Sequence, residues 1–345
     1  MFCAIHVREQ TEKKEEALSR YAARSGLSRG RMRPEEPCPV RTDFQRDRDR
    51  IIHCKSFRRL KHKTQVFIAP LGDHYVTRLT HTLEVAQIAR TVARALDLNE
   101  DLTEAVVLGH DLGHTPFGHI GEEVLNKLYH AGFRHNEQSL RVVDLLEKEG
   151  RGLNLTWEVR DGILNHSKGQ AEILGKEWGG ANTLEGQICK IADMVAYINH
   201  DVEDALRAGI ILREELPRPV AAILGDTHSQ RVGTLVRDII SCSWPLGGNG
   251  DRARAAIRMS PEVLGAAGML RQFLFERVYY PSLAKEDAVK AERALRLLYG
   301  HFLVHEDGLP PGFPGGRDDR EQRVVDYIAG MTDHYALRLA EEVTQ

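Results

Sequence analysis

Apolar residues in this chain recur mostly three and four positions apart, a spacing that gathers them on one side of a helix. The segment RTDFQRDRDRIIHCKSFRRL predicts a helix from Asp43, with Phe44, Ile51, Ile52, Phe57 and Leu60 as its apolar stripe. A short extended piece, QVFI, and a turn at 70–72 follow. TRLTHTLEVAQIARTVARAL carries the strongest helical signal, through Leu79, Leu83, Ala86, Ala93 and Leu96. Asn99-Glu100-Asp101 then ends that helix and caps another, in DLTEAVVLGHDLGH. Further helices are predicted at 119–131, 136–149, 156–166, 184–208, 229–241, 260–277, 284–304 and 320–343. Gly- and Pro-rich gaps fall at 243–250 and 308–316. No period of 20–50 residues recurs and no βαβ rhythm is present. The pattern predicts a single large all-α domain, with at most a two-stranded piece around 64–76. Residues 1–42 read as an irregular arm with one short helix near 10–24, residues 43–215 as the core, and 216–345 as a helical extension packed on it.

Composition narrows this picture. Hydrophobic residues are 42% and charged residues 28% of 345, a globular balance, and aromatics at 6% argue against a β-sandwich. A net charge of −3 makes no global case for nucleic-acid or membrane binding. No run of 18 apolar residues predicts a transmembrane helix, and MFCAIHVREQTEKKEE turns charged too soon for a secretory signal. Cys3, Cys38, Cys54, Cys189 and Cys242 are scattered without a CxxC, which predicts reduced thiols and a cytoplasmic location.

The 16 histidines carry the chemistry. His110-Asp111 lies in VVLGHDLGHTPFGH, where Gly113, Thr115, Pro116 and Gly118 end the helix and open the backbone. Neighbours on a helix project about 100° apart, so both reach one ion only at a helix end. His81 stands near the start of the preceding helix. Asp193 lies on the apolar side of QICKIADMVAYINHD, a costly place for a carboxylate unless a positive group meets it. Each residue has a plain alternative: His81 as a capping residue, Asp193 as partner of a buried arginine. Together they form a mixed nitrogen and oxygen ligand set for one divalent ion.

In order, His81…His110-Asp111…Asp193 is similar to the H…HD…D signature of HD-domain phosphohydrolases. More closely, the chain resembles the bacterial deoxyguanosinetriphosphate triphosphohydrolase-like family over nearly its whole length. The resemblance runs through YAARSGLSRGR, FRRLKHKTQVF, TRLTHTLEVAQIAR, GHDLGHTPFGHIGE, FRHNEQSLRVV, IADMVAYINHDVEDA and IAGMTDHYA. It implies an HD-domain helical fold that splits a deoxynucleoside triphosphate (dNTP) into deoxynucleoside and inorganic triphosphate. It also implies one divalent metal ion per subunit, Mg²⁺ or Mn²⁺, and a homo-oligomer, tetramer or hexamer.

Expulsion of the 5′-oxygen needs a proton, hence a general acid. His119 is assigned that role with Glu122 as its orienting carboxylate, because residues three apart share a helix face and the family's matching pair acts so. His114 is the alternative acid or a phosphate ligand. The family pattern has an arginine at Arg78, one turn before His81. The basic run Arg58, Arg59, Lys61 and Lys63 reads as a solvated face, but Gln65 matches a residue that touches the sugar 3′-hydroxyl. In HNEQ, either His135 or Asn136 occupies the substrate-facing place. Tyr197 and Asp201, four and eight residues after Asp193, share its helical face; the expectation is that Tyr197 stacks under the deoxyribose and Asp201 accepts from the 3′-hydroxyl. His166 is too poorly supported by other ligands to hold a second ion. His53, His62, His74, His200 and His334 are read as non-catalytic. Two other readings stand beside the leading one: an HD enzyme that removes one phosphate or opens cyclic dinucleotides, and a nucleotide-sensing or nucleic-acid-binding protein. Arg20, Arg24, Arg29, Arg31 and Arg33, with no acid among residues 20–33, suit single-stranded nucleic acid or an effector dNTP at a subunit boundary.

Overall fold

A computed structural model of the chain describes residues 6–65, 75–167, 180–243, 256–283, 286–305, 308–310, 313–314 and 319–344. Among these residues regular structure is helical, and pairing is limited to the isolated bridges Arg31–Thr156 and Thr64–Thr77. The second bridge is what exists of the two-stranded piece expected at 64–76. Most of QVFI, the turn at 70–72 and His74 lie outside the described residues.

Local chemistry explains the helix starts. Thr42 opens α2 (Asp43–His53) with a capping box to Gln45, and Thr77 opens α4 (Arg78–Ala95) with one to Thr80. Asn99 caps α5 (Glu100–His110), and Thr183 caps α10 (Leu184–Arg207). The arm begins with α1 (Val7–Glu15), earlier than expected. The helix read through residue 60 breaks at Cys54, whose backbone is extended, and resumes as α3 (Lys55–Arg59). The Glu147 carboxylate takes the free N–H groups of Lys55 and Ser56 at that restart.

Beyond α5 come α6 (Gly118–Leu128) and α7 (His135–Arg141), then a π turn over Val142–Leu146 and the short α8 (Glu147–Gly150). The single helix expected at 136–149 is thus broken. Lys148 and Glu149 turn left-handed there, with φ of 51° and 58°. Next are α9 (Trp157–Asn165), α11 (Arg218–Leu224), α12 (His228–Ser243) and α13 (Pro261–Leu274). A second π turn, Phe275–Tyr279, leads into α14 (Tyr280–Leu283). The chain ends in α15 (Glu286–Val304), α16 (Arg320–Ala329) and α17 (Asp333–Thr344), the last two replacing one expected helix.

Two apolar clusters organise these elements. The larger is built on α2, α4, α5, α9, α10, α12 and α13, and α10 alone contributes Ile188, Ile191, Val195, Ile198 and Val202, all fully buried. Each such side chain contributes about 1.5–3 kcal/mol, which is why α10 can carry polar groups through the interior. The smaller cluster joins α6 to α15, α16 and α17. The turn between α5 and α6 crosses from one to the other. No helix of the described residues is long and apolar enough to cross a membrane.

Candidate active site

The C-terminus of α5, the start of α4 and the middle of α10 meet at one point. His81, His110 and Asp111 each place a ligand atom there, all within 4.8 Å of one another. Asp193 joins through His81, whose Nε2 is 3.0 Å from its Oδ1. The four residues expected to hold a metal are therefore brought together. The ring of His110 is set for that task. Its Nδ1 donates to the Val107 carbonyl at 2.6 Å, so the ring proton is committed there. Its Nε2 is buried without a hydrogen-bond partner, 3.4 Å from Asp111 Oδ1, and is free to offer the lone pair that a cation requires. This orphaned nitrogen beside two carboxylates is the observation that fits a divalent ion.

Charge is dense around Asp111. Arg78, 1% exposed, donates to its Oδ2 at 2.8 Å and keeps Nε and Nη2 buried without partners. Burial works against the Asp111 carboxylate, but His110, His114 and Arg78 hold it well below the usual range. Asp193 is held at about 2, burial being outweighed by its bond to His81. Burial pushes His81 and His114 down, Arg78 adding to the effect on His114. Neutral imidazoles and ionised carboxylates are what a metal ligand set needs.

A second row of groups leads away from this point. His114 stacks on His135, ring centres 4.1 Å apart, and its Nδ1 is buried without a partner. Asp111, His114 and His135 also fall within 4.8 Å of one another. Glu122 binds the His135 ring at 2.9 Å and the His135 backbone N–H at 2.9 Å. Burial opposes charge on both, yet the pairing lowers Glu122 well below its usual value and raises His135. Asn136 instead donates to the Leu164 carbonyl at 2.6 Å, so His135 is the residue of that pair turned to the site. His119 stands on the rim, its side chain 76% exposed, with Nδ1 3.9 Å from Glu122. Gln65 is buried, with Oε1 unpartnered, and a Cβ at Gly118 would lie 3.0 Å from its carbonyl and 3.1 Å from Arg78 Nη2. Gln65, Arg78 and the start of α6 thus share one wall. Of the basic run, Arg58, Arg59 and Lys61 face solvent. Lys63 turns inward to the carbonyls of His114 and Ala329.

At the far end, Tyr197 is partly buried beside Arg271. Asp201 is buried, with Oδ1 2.8 Å from His200 Nδ1 and Oδ2 accepting from the Tyr279 hydroxyl. Its carboxylate is engaged within the protein in this structure. His200, Tyr279, Arg271 and His166 are site residues that the sequence reading set aside or did not name. His166 meets His135 at 3.1 Å between their Nε2 atoms, and burial beside His110 pushes it down to about 3. For His200 a signal existed: seven residues after Asp193, it is two turns along the same face. Arg271 on α13 and Tyr279 in the π turn after it come from a distant part of the chain and had none. His53, His62 and His334 are exposed. The arm arginines are largely used within the chain: Arg31 pairs with Asp43 and Asp47, and Arg29 lies over Trp157 at 3.6 Å.

The sequence matches the HD domain over residues 78–198 and the phosphohydrolase-associated domain over 257–342. The first spans His81, His110, Asp111 and Asp193. Proteins named deoxyguanosinetriphosphate triphosphohydrolase-like are similar over nearly the full chain. The one from Caldanaerobacter subterraneus subsp. tengcongensis is 58% identical, covering 98% of this chain and 96% of its own. Those from Desulfatibacillum aliphaticivorans and Clostridium perfringens are each 48% identical, covering 98% and 96% of this chain and 97% and 95% of theirs. With the ligand cluster, its arginine and both domain matches on one chain, the protein belongs to the deoxyguanosinetriphosphate triphosphohydrolase-like family of HD-domain phosphohydrolases.

Proposed function

We propose that the protein hydrolyses dNTPs to deoxynucleoside and inorganic triphosphate, with one Mg²⁺ or Mn²⁺ held by His81, His110, Asp111 and Asp193. The observation that carries this is the buried lone pair of His110 Nε2, set beside Asp111 and next to an arginine with two free buried nitrogens. When bound, the metal would offset phosphate charge and activate water at the α-phosphorus. Arg78, through Nε and Nη2, binds phosphate oxygens, and His114 and His135 line the same path. His119 swings in from the rim to protonate the leaving 5′-oxygen, with Glu122 as its carboxylate. Gln65 and Asp201 hold the sugar hydroxyl, Asp201 exchanging its Tyr279 bond for the substrate's. Tyr197 packs under the ribose and excludes a 2′-hydroxyl. The family resemblance supports a tetramer or hexamer, and effector dNTP binding at its boundaries. The test is product analysis with each dNTP, singly and mixed, with Mg²⁺ or Mn²⁺. The expected products are deoxynucleoside and triphosphate in equal amounts; orthophosphate or a nucleoside mono- or diphosphate would overturn the assignment.

A further inference from the structure

His81 can bind a cation through Nε2 only when that nitrogen offers a lone pair. A neutral imidazole has a single N–H, so the proton must then sit on Nδ1, and a buried N–H needs an acceptor. His81 is 1% exposed, and its Nδ1 lies 2.9 Å from His200 Nε2. For His200 to accept, its own proton must be on Nδ1. That atom lies 2.8 Å from Asp201 Oδ1, at an angle short of an ideal hydrogen bond. Tyr279 donates to the other oxygen of Asp201. Tyr279, Asp201, His200 and His81 therefore stand in a row, hydrogen-bonded at its two ends and joined in the middle by the 2.8 Å approach of His200 Nδ1 to Asp201.

The contrast with His110 is informative. Its proton is fixed by a backbone carbonyl, that of Val107, and no side-chain change can remove that acceptor. The orientation of His81 depends instead on a side chain. His200 also lies two turns beyond Asp193 on α10, so one helix face supplies both a ligand and the support of another ligand.

We propose that His200 is a positioning residue of the metal site, accepting the Nδ1 proton of His81 so that Nε2 faces the cation. The Asp201 carboxylate, 2.8 Å from His200 Nδ1, electrostatically favours the tautomer with the proton on Nδ1. The inference rests on the reading of His81 as a metal ligand. Outer-shell partners of ligating histidines govern metal affinity by about 10–100-fold.

The test is a Mn²⁺ titration of the full-length, metal-free protein, followed by the electron paramagnetic resonance signal of the free ion. Wild type is compared with His81→Ala, His200→Gln and His200→Asn. The Gln side chain puts its amide oxygen near the position of His200 Nε2 and can accept the same proton. Asn carries the same amide on a chain one methylene shorter and cannot reach. His200→Gln is expected to bind Mn²⁺ close to wild type, and His200→Asn about 10–100-fold more weakly. Melting temperatures of the metal-free variants separate this from loss of fold. Equal affinity in the Gln and Asn variants, whether retained or lost in both, would overturn the role of His200. Wild type that binds no Mn²⁺, or that loses none in His81→Ala, would overturn the metal-site reading itself and the inference with it.

Discussion

Glu122 has one carboxylate and two histidines in reach. His135 holds it at 2.9 Å, while His119 is 3.9 Å away on the rim. The i, i+3 spacing placed His119 and Glu122 on one helix face, which α6 does; it could not show that a loop folds His135 onto the same carboxylate. His81, His110, Asp111 and Asp193 could be singled out in the sequence because helix ends and apolar-face carboxylates are local features, and the fold brings them together. The His135 contact could not be, because it depends on how α6 and α7 pack. We expect His119→Ala to lower kcat by at least ~100-fold, within the range of general acid catalysis, with bound metal unchanged. His135→Ala should chiefly raise KM, since His135 stacks on His114 beside the proposed phosphate path. The reverse pattern, near-normal turnover in His119→Ala and a rate loss in His135→Ala, would move the acid role to His135. Steady-state kinetics with metal analysis of each variant decides it.

Helix existence was legible from periodicity, and helix breaks were not. The interruption at Cys54 is stabilised by Glu147, more than 90 residues away in sequence, and the left-handed residues after the π turn are tied back through Gly152 N–H to the Glu147 carbonyl. Such partners leave no local pattern. The same holds at the first turn of α10, where the arm docks. Glu185 Oε1 accepts from the backbone N–H groups of Ala23 and Asn99, while Oε2 is buried without a partner. Burial pushes its carboxyl up to about 7, and neighbouring Glu15 adds to the rise. Because the folded state holds this proton more tightly than the unfolded chain, stability from this group is full at low pH. It is lost as pH rises from the unfolded value toward 7, by on the order of 3 kcal/mol. Glu185→Gln keeps an acceptor and removes the charge. Its melting temperature, relative to wild type, should rise between pH 5 and pH 8; a difference that is flat with pH would contradict this account.

Across the whole molecule, the smaller apolar cluster acts on the turn between α5 and α6. Asp333, at the start of α17, accepts from Thr64 N–H and hydroxyl through Oδ2 and from Phe117 N–H through Oδ1. Phe117 has φ +62°, a left-handed conformation that costs a side-chain-bearing residue about 1–2 kcal/mol. Its ring is buried in the smaller cluster, which holds it there. That conformation starts α6 and so aims His119 and Glu122. Lys63 adds a second tie, from the His114 carbonyl to that of Ala329 at the end of α16. The C-terminal helices therefore brace the wall that bears Gln65 and His119, while His81, His110, Asp111 and Asp193 stand on α4, at the end of α5 and on α10, beside the larger cluster. Asp333→Ala should consequently separate two properties. Hydrogen bonds to a charged acceptor contribute about 1.5–3 kcal/mol each, so the variant should be less stable by a few kcal/mol in denaturant titrations, and turnover should fall at saturating substrate. Mn²⁺ affinity should stay near wild type, because Asp333 bonds to Thr64 and Phe117 and reaches α4 only indirectly, through the Thr64–Thr77 bridge at its cap. A fall in metal affinity as large as the fall in kcat would show that the two clusters are not separable in this way.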